Sequence, residues 1–591
     1  MSRQKQSRAL GCMRILAAIS LLFGPGLPSL RAADTHYVSL NGGNQSPYVN
    51  GWAGAATQIQ WAIDASAAND TVLVSNGVYV LTNRVEITSA IILKGFSGDP
   101  KDTVIDGNYP NITNRCLLLS NSAAFVSGLT LSNGAWLATA SDQGGGGARI
   151  FSGTMSNCIV RNNRFFQTLA AGTYAYTGGG GIYMDGGTVT VCTIHANIST
   201  NGKVNNVGAG AGIFLRNAGS LVSGCIISNN IFSGTNGEAA GTGAFGGGVY
   251  MYNGAVLESS RICNNSYLGA ATRGFAAGVF MDAASTMRGC TVTLNQAAYG
   301  AGVKATGSTI TNCVISYNTA EQYGGAVYMT ADNYIYNTLI LGNTSGGSGT
   351  ANIYIHTTRD GGTAASQVKI DNCRIINNRP SGYSAVGVGA GTNISLLNSE
   401  VSSNGLGVHV ASGTSANIRN CLIVGNSNNA SSRRGGGVFI EGPVANVSIS
   451  GCTIAGNKDK DATAAGAGVR FSGSNISTDV SSCIIYSNGI GGLDDVYDAA
   501  SPTNINALQY SCVGINQGFT GAGIIVAGPQ FKDFAGGNYR LANNSPCVNK
   551  GLNQSWMTNA VDLDGRKRIY YGTVDMGAYE VLNKGTIYGL R

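Results

Sequence analysis

Three groups of residues in this 591-residue sequence have types that could do chemistry. One is charged: Asp185, Arg216, Asp282 and Glu441 each follow a glycine-led apolar run. A second is aromatic: Tyr183, Phe214, Tyr250, Phe280, Tyr328 and Tyr354 lie in the same kind of run, one alternate position earlier. The third is Cys158, Cys192, Cys225, Cys290, Cys313, Cys373, Cys421, Cys452 and Cys483, each opening the pattern C-x-(I/V/L)-x-x-N. Paired carboxylates hydrolyse glycosides when they stand ~5–9.5 Å apart. Aromatic faces offer sugars a platform while their polar tips bond hydroxyls. Cysteines pair as disulfides in oxidising compartments, or hold a metal where they converge.

Spacing defines the element that must hold these residues. With looser copies at Gly128, Ser260, Thr338 and Ser399, the cysteine pattern occurs thirteen times at intervals of 22–35 residues. Glycine clusters running into a strand, as at 178–184, 246–251 and 435–440, precede most copies in the same order. Each period therefore supplies a short strand, a turn and a second strand carrying the cysteine in its interior. The asparagine then bends the chain, because it tolerates the left-handed conformation. No such coil buries its inward face alone, so neighbours must stack. Longer periods insert loops on one side. With strands ~4.8 Å apart, thirteen coils make a rod of roughly 60 Å. The 87 glycines and a charged fraction of only 11% fit repetitive β-structure of this kind. The expected fold is all-β: a right-handed parallel β-helix (a solenoid) with an N-terminal helical cap and a small C-terminal β module.

The coil then judges the chemistry. Stacked cysteines point in parallel at ~4.8 Å, whereas a disulfide wants Cβ atoms nearer ~3.8 Å, so a ladder of buried thiols is expected and no metal site. Asp185 and Asp282 are three coils apart, about 14 Å, too far for glycosidase carboxylates. Asp185 and Arg216 sit on adjacent coils, as a lyase-like pair or as an exposed ion pair, the commoner case. His36, His195, His356 and His409 are scattered, which removes a Ser-His-Asp or zinc reading. Strand alternation turns the aromatic position outward, where seven of twelve coils carry a ring. Such a ladder is either a structural stack or a platform for a linear glycan. A binding face requires rings that are partly exposed and ~5 Å apart. A structural stack requires rings buried under 164–177 and 231–245.

The repeats resemble those of the polymorphic outer-membrane proteins of bacterial surfaces, which pair Gly-Gly-(Ala/Gly)-(Ile/Val) with a strand ending in asparagine. The segment TQIQWAIDASAANDTVLVSNGVY at 57–79 looks like the N-terminal cap and first coil of pectin-lyase-like β-helices. There an amphipathic helix plugs the open end; here Ile59, Ala62 and Ile63 supply its apolar spacing. NYRLANNSPCVNKG at 538–551, with 561–565 and 574–580, is similar to the choice-of-anchor modules of exported bacterial proteins. The resulting division is 1–33 signal, 34–114 cap and first coils, 115–515 β-helix repeats and 516–591 C-terminal module. Neither a membrane barrel nor an apolar sorting tail is seen, which leaves attachment to a cell open. The resemblance implies a polysaccharide partner, and lyases of this fold use Lys or Arg as base.

Arg3, Lys5, Arg8 and Arg14, the apolar run 15–23 and Ala32-Ala33 read as a secretory signal. The formal charge of +7 comes largely from it: without 1–33 there remain 31 basic against 29 acidic residues. A nucleic-acid partner has no electrostatic support, and no transmembrane segment is expected in the mature chain. Asp494, Asp495 and Asp498 cluster, and Asp562-x-Asp564-Gly565 has the look of a calcium loop, but the full ligand pattern is absent. No cofactor is expected, calcium being the one ion such residues would suit. Three functions follow: a surface or secreted protein binding glycan or mediating adhesion, a polysaccharide lyase or glycoside hydrolase acting on an acidic polymer, or a structural rod.

Overall fold

One coil shows how the repeat folds. Ile182–Met184 leads to Gly187–Thr190, then Thr193–His195, then Ile198–Asn201. Each strand pairs in parallel with its counterpart one repeat later: Ile182 with Ile213, Thr188 with Leu221, Thr193 with Ile226 and Ile198 with Ile231. The computed structural model describes residues 31–582 apart from 140–141, 168–176, 202–207, 235–243, 269–273, 348–350, 356–366, 379–383, 429–434, 460–465, 474–475, 490–494, 499–504, 516–517 and 520. The expected signal segment and His356 fall outside the described residues, bar the last three positions of the signal.

Stacking produces a parallel β-helix. Among the described residues face 1 has 15 strands, from Val85–Ile87 to Val496–Asp498. Face 2 has 17, from Thr35–Val38 to Ile505–Gln509, and face 3 has 16, from Gly77–Val80 to Cys512–Val513. A shorter face 4 of 8 strands runs from Ala135–Leu137 to Thr344–Ser345. Seventeen rungs make a rod of about 75 Å, longer than the thirteen visible copies predict. Alternate residues of faces 1, 2 and 3 point inward and join one core that extends from Val38 to Phe519. The helix Ile59–Ala65 lies against the first rungs and buries Ile59, Ala62 and Ile63, the expected spacing.

Two corners depart from the sequence expectation. The cysteines are inward and buried, but they sit at the corner between faces 2 and 3, not inside a strand. Val191, at φ 53°, turns the chain, and Cys192 then stands just ahead of Thr193–His195. The next corner is turned by Ala196, also at φ 53°, and not by the asparagine of the pattern. Asn197 points inward, because the left-handed residue before it aims its side chain along the stack. Its Nδ2 donates to Asn230 Oδ1 at 3.0 Å and to Val160 O at 3.0 Å. This arrangement repeats from Asn163 to Asn488 and makes a buried asparagine ladder. All thirteen cysteines of the described chain are buried and free. Where the pattern has Ser260, Thr338 or Ser399, the hydroxyl takes the sulfur's place and accepts from the N–H of Cys225, Cys313 or Cys373.

The C-terminal residues fold against face 3. Phe531–Asp533 pairs antiparallel with Asn538–Leu541. Ala578 and Tyr579 pack on Leu422, Val424 and Ala455, while Leu541, Cys547 and Met576 pack on Ile484 and Cys512. Gly577 allows this approach: at φ 92° a Cβ there would stand 2.7 Å from Ile484 Cδ1. Among the described residues no helix is long and apolar enough to cross a membrane.

Candidate functional site

The aromatic ladder exists, but it is not a surface. Tyr183, Phe214, Tyr250 and Phe280 stack with ring centroids 4.8, 4.9 and 4.7 Å apart, at the coil spacing. Their relative exposures are 0%, 0%, 1% and 4%. Tyr328 is equally buried, among Phe275 and Tyr299, and Tyr354 is half-buried beside it. The alternation holds, since these rings lie outside the inner core as a cluster of their own. The expected exposure is corrected: a second layer covers face 1. Glycine-rich strands such as Thr177–Gly178 cross over the rings, and a Cβ on Gly144 would touch Tyr183 Cδ2. Rings so covered offer no face to a sugar.

The charged positions are likewise tied up. Asp185 accepts from Arg149 at 3.0 Å and from Arg216 at 3.3 Å, and Arg149 also meets Asp142, which binds the buried Arg115. The expected exposed pair is thus part of a half-buried five-residue network along the rod. His409 pairs with Glu441 at 3.2 Å, and Asp282 caps its own turn by accepting from the N–H of Ala283. In the acidic cluster, Asp494 and the side chain of Asp498 lie outside the described residues. Asp562 accepts from the N–H groups of Asp564, Arg566 and Glu580, and Asp564 pairs with Arg540. These carboxylates hold the loops of the C-terminal module. Burial pushes its Glu580 up to about 8, above the usual carboxylate range.

A groove lies elsewhere, on face 2. Most of this face is narrow, with strands of 3–4 residues such as Thr309–Thr311 and Val368–Asp371. Its last five rungs widen: Asn393–Leu397, Ser415–Arg419, Val444–Ser450, Ile476–Ser481 and Ile505–Gln509. Ile394, Ile418, Ile449 and Val480 point in and anchor the strands in the core. The alternate positions point out, and register aligns them as a polar row, Ser395, Asn417, Ser448 and Asp479. Together with Asn393, Ser415, Asn446 and Arg419 they line a groove of ≈ 500 Å³.

Three polar atoms in this groove, Asn417 Oδ1, Arg419 Nε and Asp479 Oδ1, are covered yet lack a hydrogen-bond partner within the protein. Buried polar atoms are ordinarily satisfied, so three in one groove mark it out. Burial raises the Asp479 carboxyl above its ordinary range and lowers the Arg419 guanidinium below its own. C-terminal residues touch this face beside the groove. Trp556 stands 5.8 Å from the Arg419 guanidinium, and Gln554 Nε2 donates to Ser481 Oγ at 2.9 Å. Sequence reasoning missed this groove; its signal was the lengthened alternation of 393–397, 415–419 and 444–450.

Comparison with known proteins bears on the fold. The family model for the right handed beta helix region matches residues 247–423 and 363–531. With the parallel sheets, this identifies the architecture as a right-handed parallel β-helix. Curated proteins give no match. Among solved structures, the chain is similar to pectate lyase Pel9A, at 13% identity over 93% of this chain and 96% of the other, with a TM-score of 0.21. It is also similar to the tailspike protein 3 of bacteriophage CBA120, at 11% identity over 79% and 58% and a TM-score of 0.25. A third is the A-module of the mannuronan C-5 epimerase AlgE6 of Azotobacter vinelandii, at 12% over 80% and 95% and a TM-score of 0.23. At TM-scores this low the likenesses carry no argument.

Proposed function

We propose that this is an exported bacterial protein of the cell surface or surrounding medium that binds a glycan along the groove on face 2. The observation that carries the reading is the in-register polar row Ser395, Asn417, Ser448 and Asp479, one residue per rung along the groove that Arg419 also lines. Sugar hydroxyls both donate and accept, which suits amide, guanidinium and carboxyl groups side by side. Rows repeating at ~4.8 Å suit a linear polymer lying across the rungs. Arg419 adds a preference for an acidic chain. Resemblance of the repeats and the C-terminal segment to bacterial surface and anchor modules supports export and adhesion. The test is retention on immobilised acidic polysaccharides. Asn417→Ala and Arg419→Gln should each weaken it at least tenfold with the melting temperature nearly unchanged. Full retention by both variants would remove the groove from consideration.

A second reading, an extracellular lyase on an acidic polysaccharide, is favoured by the place of Arg419 in the groove, where burial makes its guanidinium easier to deprotonate. In that reaction a base takes the proton beside the uronate carboxyl, and the glycosidic oxygen leaves as a carbon–carbon double bond forms. Ultraviolet absorbance of unsaturated products, lost in Arg419→Gln, would identify it. A hydrolase fits less well, because Asp479 is the one carboxylate lining the groove among the described residues.

A further inference from the structure

Four cysteines stand apart from the column, Cys116, Cys263, Cys512 and Cys547, and the last two meet. Register pairs Ile484 with Cys512, and the inward corner of that rung is taken by Ser511, whose hydroxyl accepts from Cys483 N–H at 3.1 Å. Cys512, one residue on, therefore faces outward from face 3, beneath the C-terminal module. Cys547 lies on the module side of the same interface, in one buried cluster with Cys512, Ile484, Leu541 and Met576. Both side chains are fully buried, and Cys512 Sγ donates to Ala527 O at 3.2 Å. Cys547 is held in place by its own backbone: its N–H donates to Ser545 Oγ at 3.1 Å, and its carbonyl accepts from Met576 N–H at 3.1 Å.

Contact alone does not distinguish them, since column cysteines also touch. Geometry does. Column thiols project in parallel from stacked corners between in-register strands, so their Cβ atoms keep the rung spacing of ~4.8 Å and cannot take the twisted arrangement a disulfide needs. Cys512 and Cys547 come from two bodies that meet face to face, and neither is bound by that spacing.

We propose that Cys512 and Cys547 close into a disulfide that clasps the C-terminal module to the last rung of the β-helix. The reaction is thiol–disulfide exchange with a small or protein disulfide as oxidant. One thiolate attacks the oxidant's disulfide and forms a mixed disulfide, releasing one thiol; the second thiolate then displaces the other. The sulfurs lose two electrons and two protons, and the oxidant leaves as two thiols. Cys512, held below its ordinary range chiefly by the Cys547 hydrogen bond, is the more readily ionised of the two. Because both sulfurs are buried, the exchange takes place while the module docks, and the finished bond is shielded from reductant. Trp556 and Gln554, which touch Arg419 and Ser481 beside the groove, belong to the clasped module. The clasp itself rests on the thiols and not on glycan binding.

The test uses the full chain from residue 34, refolded with a mixture of oxidised and reduced glutathione, then denatured and alkylated without reduction. Peptide mass spectrometry should find Cys512 joined to Cys547 and the other eleven cysteines alkylated. Dithiothreitol present during refolding should lower the melting temperature by a few degrees in the wild type and leave the Cys512→Ser/Cys547→Ser variant unmoved. Alkylation of both cysteines in the refolded wild type, or cross-links spread over the column, would overturn the proposal. Supplying the oxidant in vitro keeps the result independent of whether the chain is exported.

Discussion

Asp495 Oδ1 accepts from both the backbone N–H and the side-chain amide of Asn488, at 2.6 and 2.9 Å. It stands where the next coil's asparagine would be, and so ends the ladder with a carboxyl. Burial raises that carboxyl to about 6, against about 4 in an unfolded chain. A fold that keeps an acid protonated is helped most where the unfolded chain is protonated as well. Its contribution is complete below about pH 4 and is lost as pH rises through about 6, a change of about 3 kcal/mol at most. Asp495→Asn mimics the protonated form, and its melting temperature should lack this step between pH 4 and 7. Parallel curves for variant and wild type would refute the assignment.

The ladder itself should be costly to break. Asn265 is fully buried, donates to Ile227 O and Asn295 Oδ1, and accepts from Asn230. Asn265→Ala strands those partners, at about 1–3 kcal/mol for each unsatisfied group. Its neighbour Asn264, at φ 55° and exposed, only turns the corner. Asn264→Gly should therefore change the urea midpoint little, while Asn265→Ala lowers it strongly.

Tyr250 is a stability residue. Its ring packs between Phe214 and Phe280, so Tyr250→Ala should destabilise by about 3–5 kcal/mol. Glycan retention of the protein that remains folded should be unaffected. Equal melting temperatures for variant and wild type would contradict the burial described above.

Cysteine chemistry offers a further check. Burial pushes the Cys373 thiol up to about 12, and its Sγ donates to Ile335 O and Asp371 O. Iodoacetamide at pH 8 should leave the Cys373 peptide unlabelled in native protein and label it fully in denaturant. Native labelling at the denatured rate would mean that the corner is open.

Much of the fold is legible because the repeat is. Thirteen of the sixteen rungs of face 3 begin at a recognisable C-x-(I/V/L)-x-x-N copy; Gly77–Val80, Thr103–Asp106 and Cys512–Val513 lack it, and the first two are legible only through the resemblance of 57–79 to a cap and first coil. The site was harder to read. Alternation says that Tyr183 leaves the inner core, but not that a second layer lies over it, since the cover comes from segments inserted elsewhere in the coil. Asn197 was assigned the bend that Ala196 makes, because asparagine favours both roles and only backbone angles separate them. Ser395, Asn417, Ser448 and Asp479 are ordinary residues singly. They become a row only when strands far apart in sequence fall into register.

An in-register parallel stack is also a template, because its last strand presents the same free edge as every strand before it. Both edges are blocked. The helix Ile59–Ala65 lies across the first rungs, and at the far end Ile525 bonds back to Ser511 and Val513. The chain's own residues thus occupy the first rungs and the last strand of face 3, and the rod's length is written in the number of its repeats.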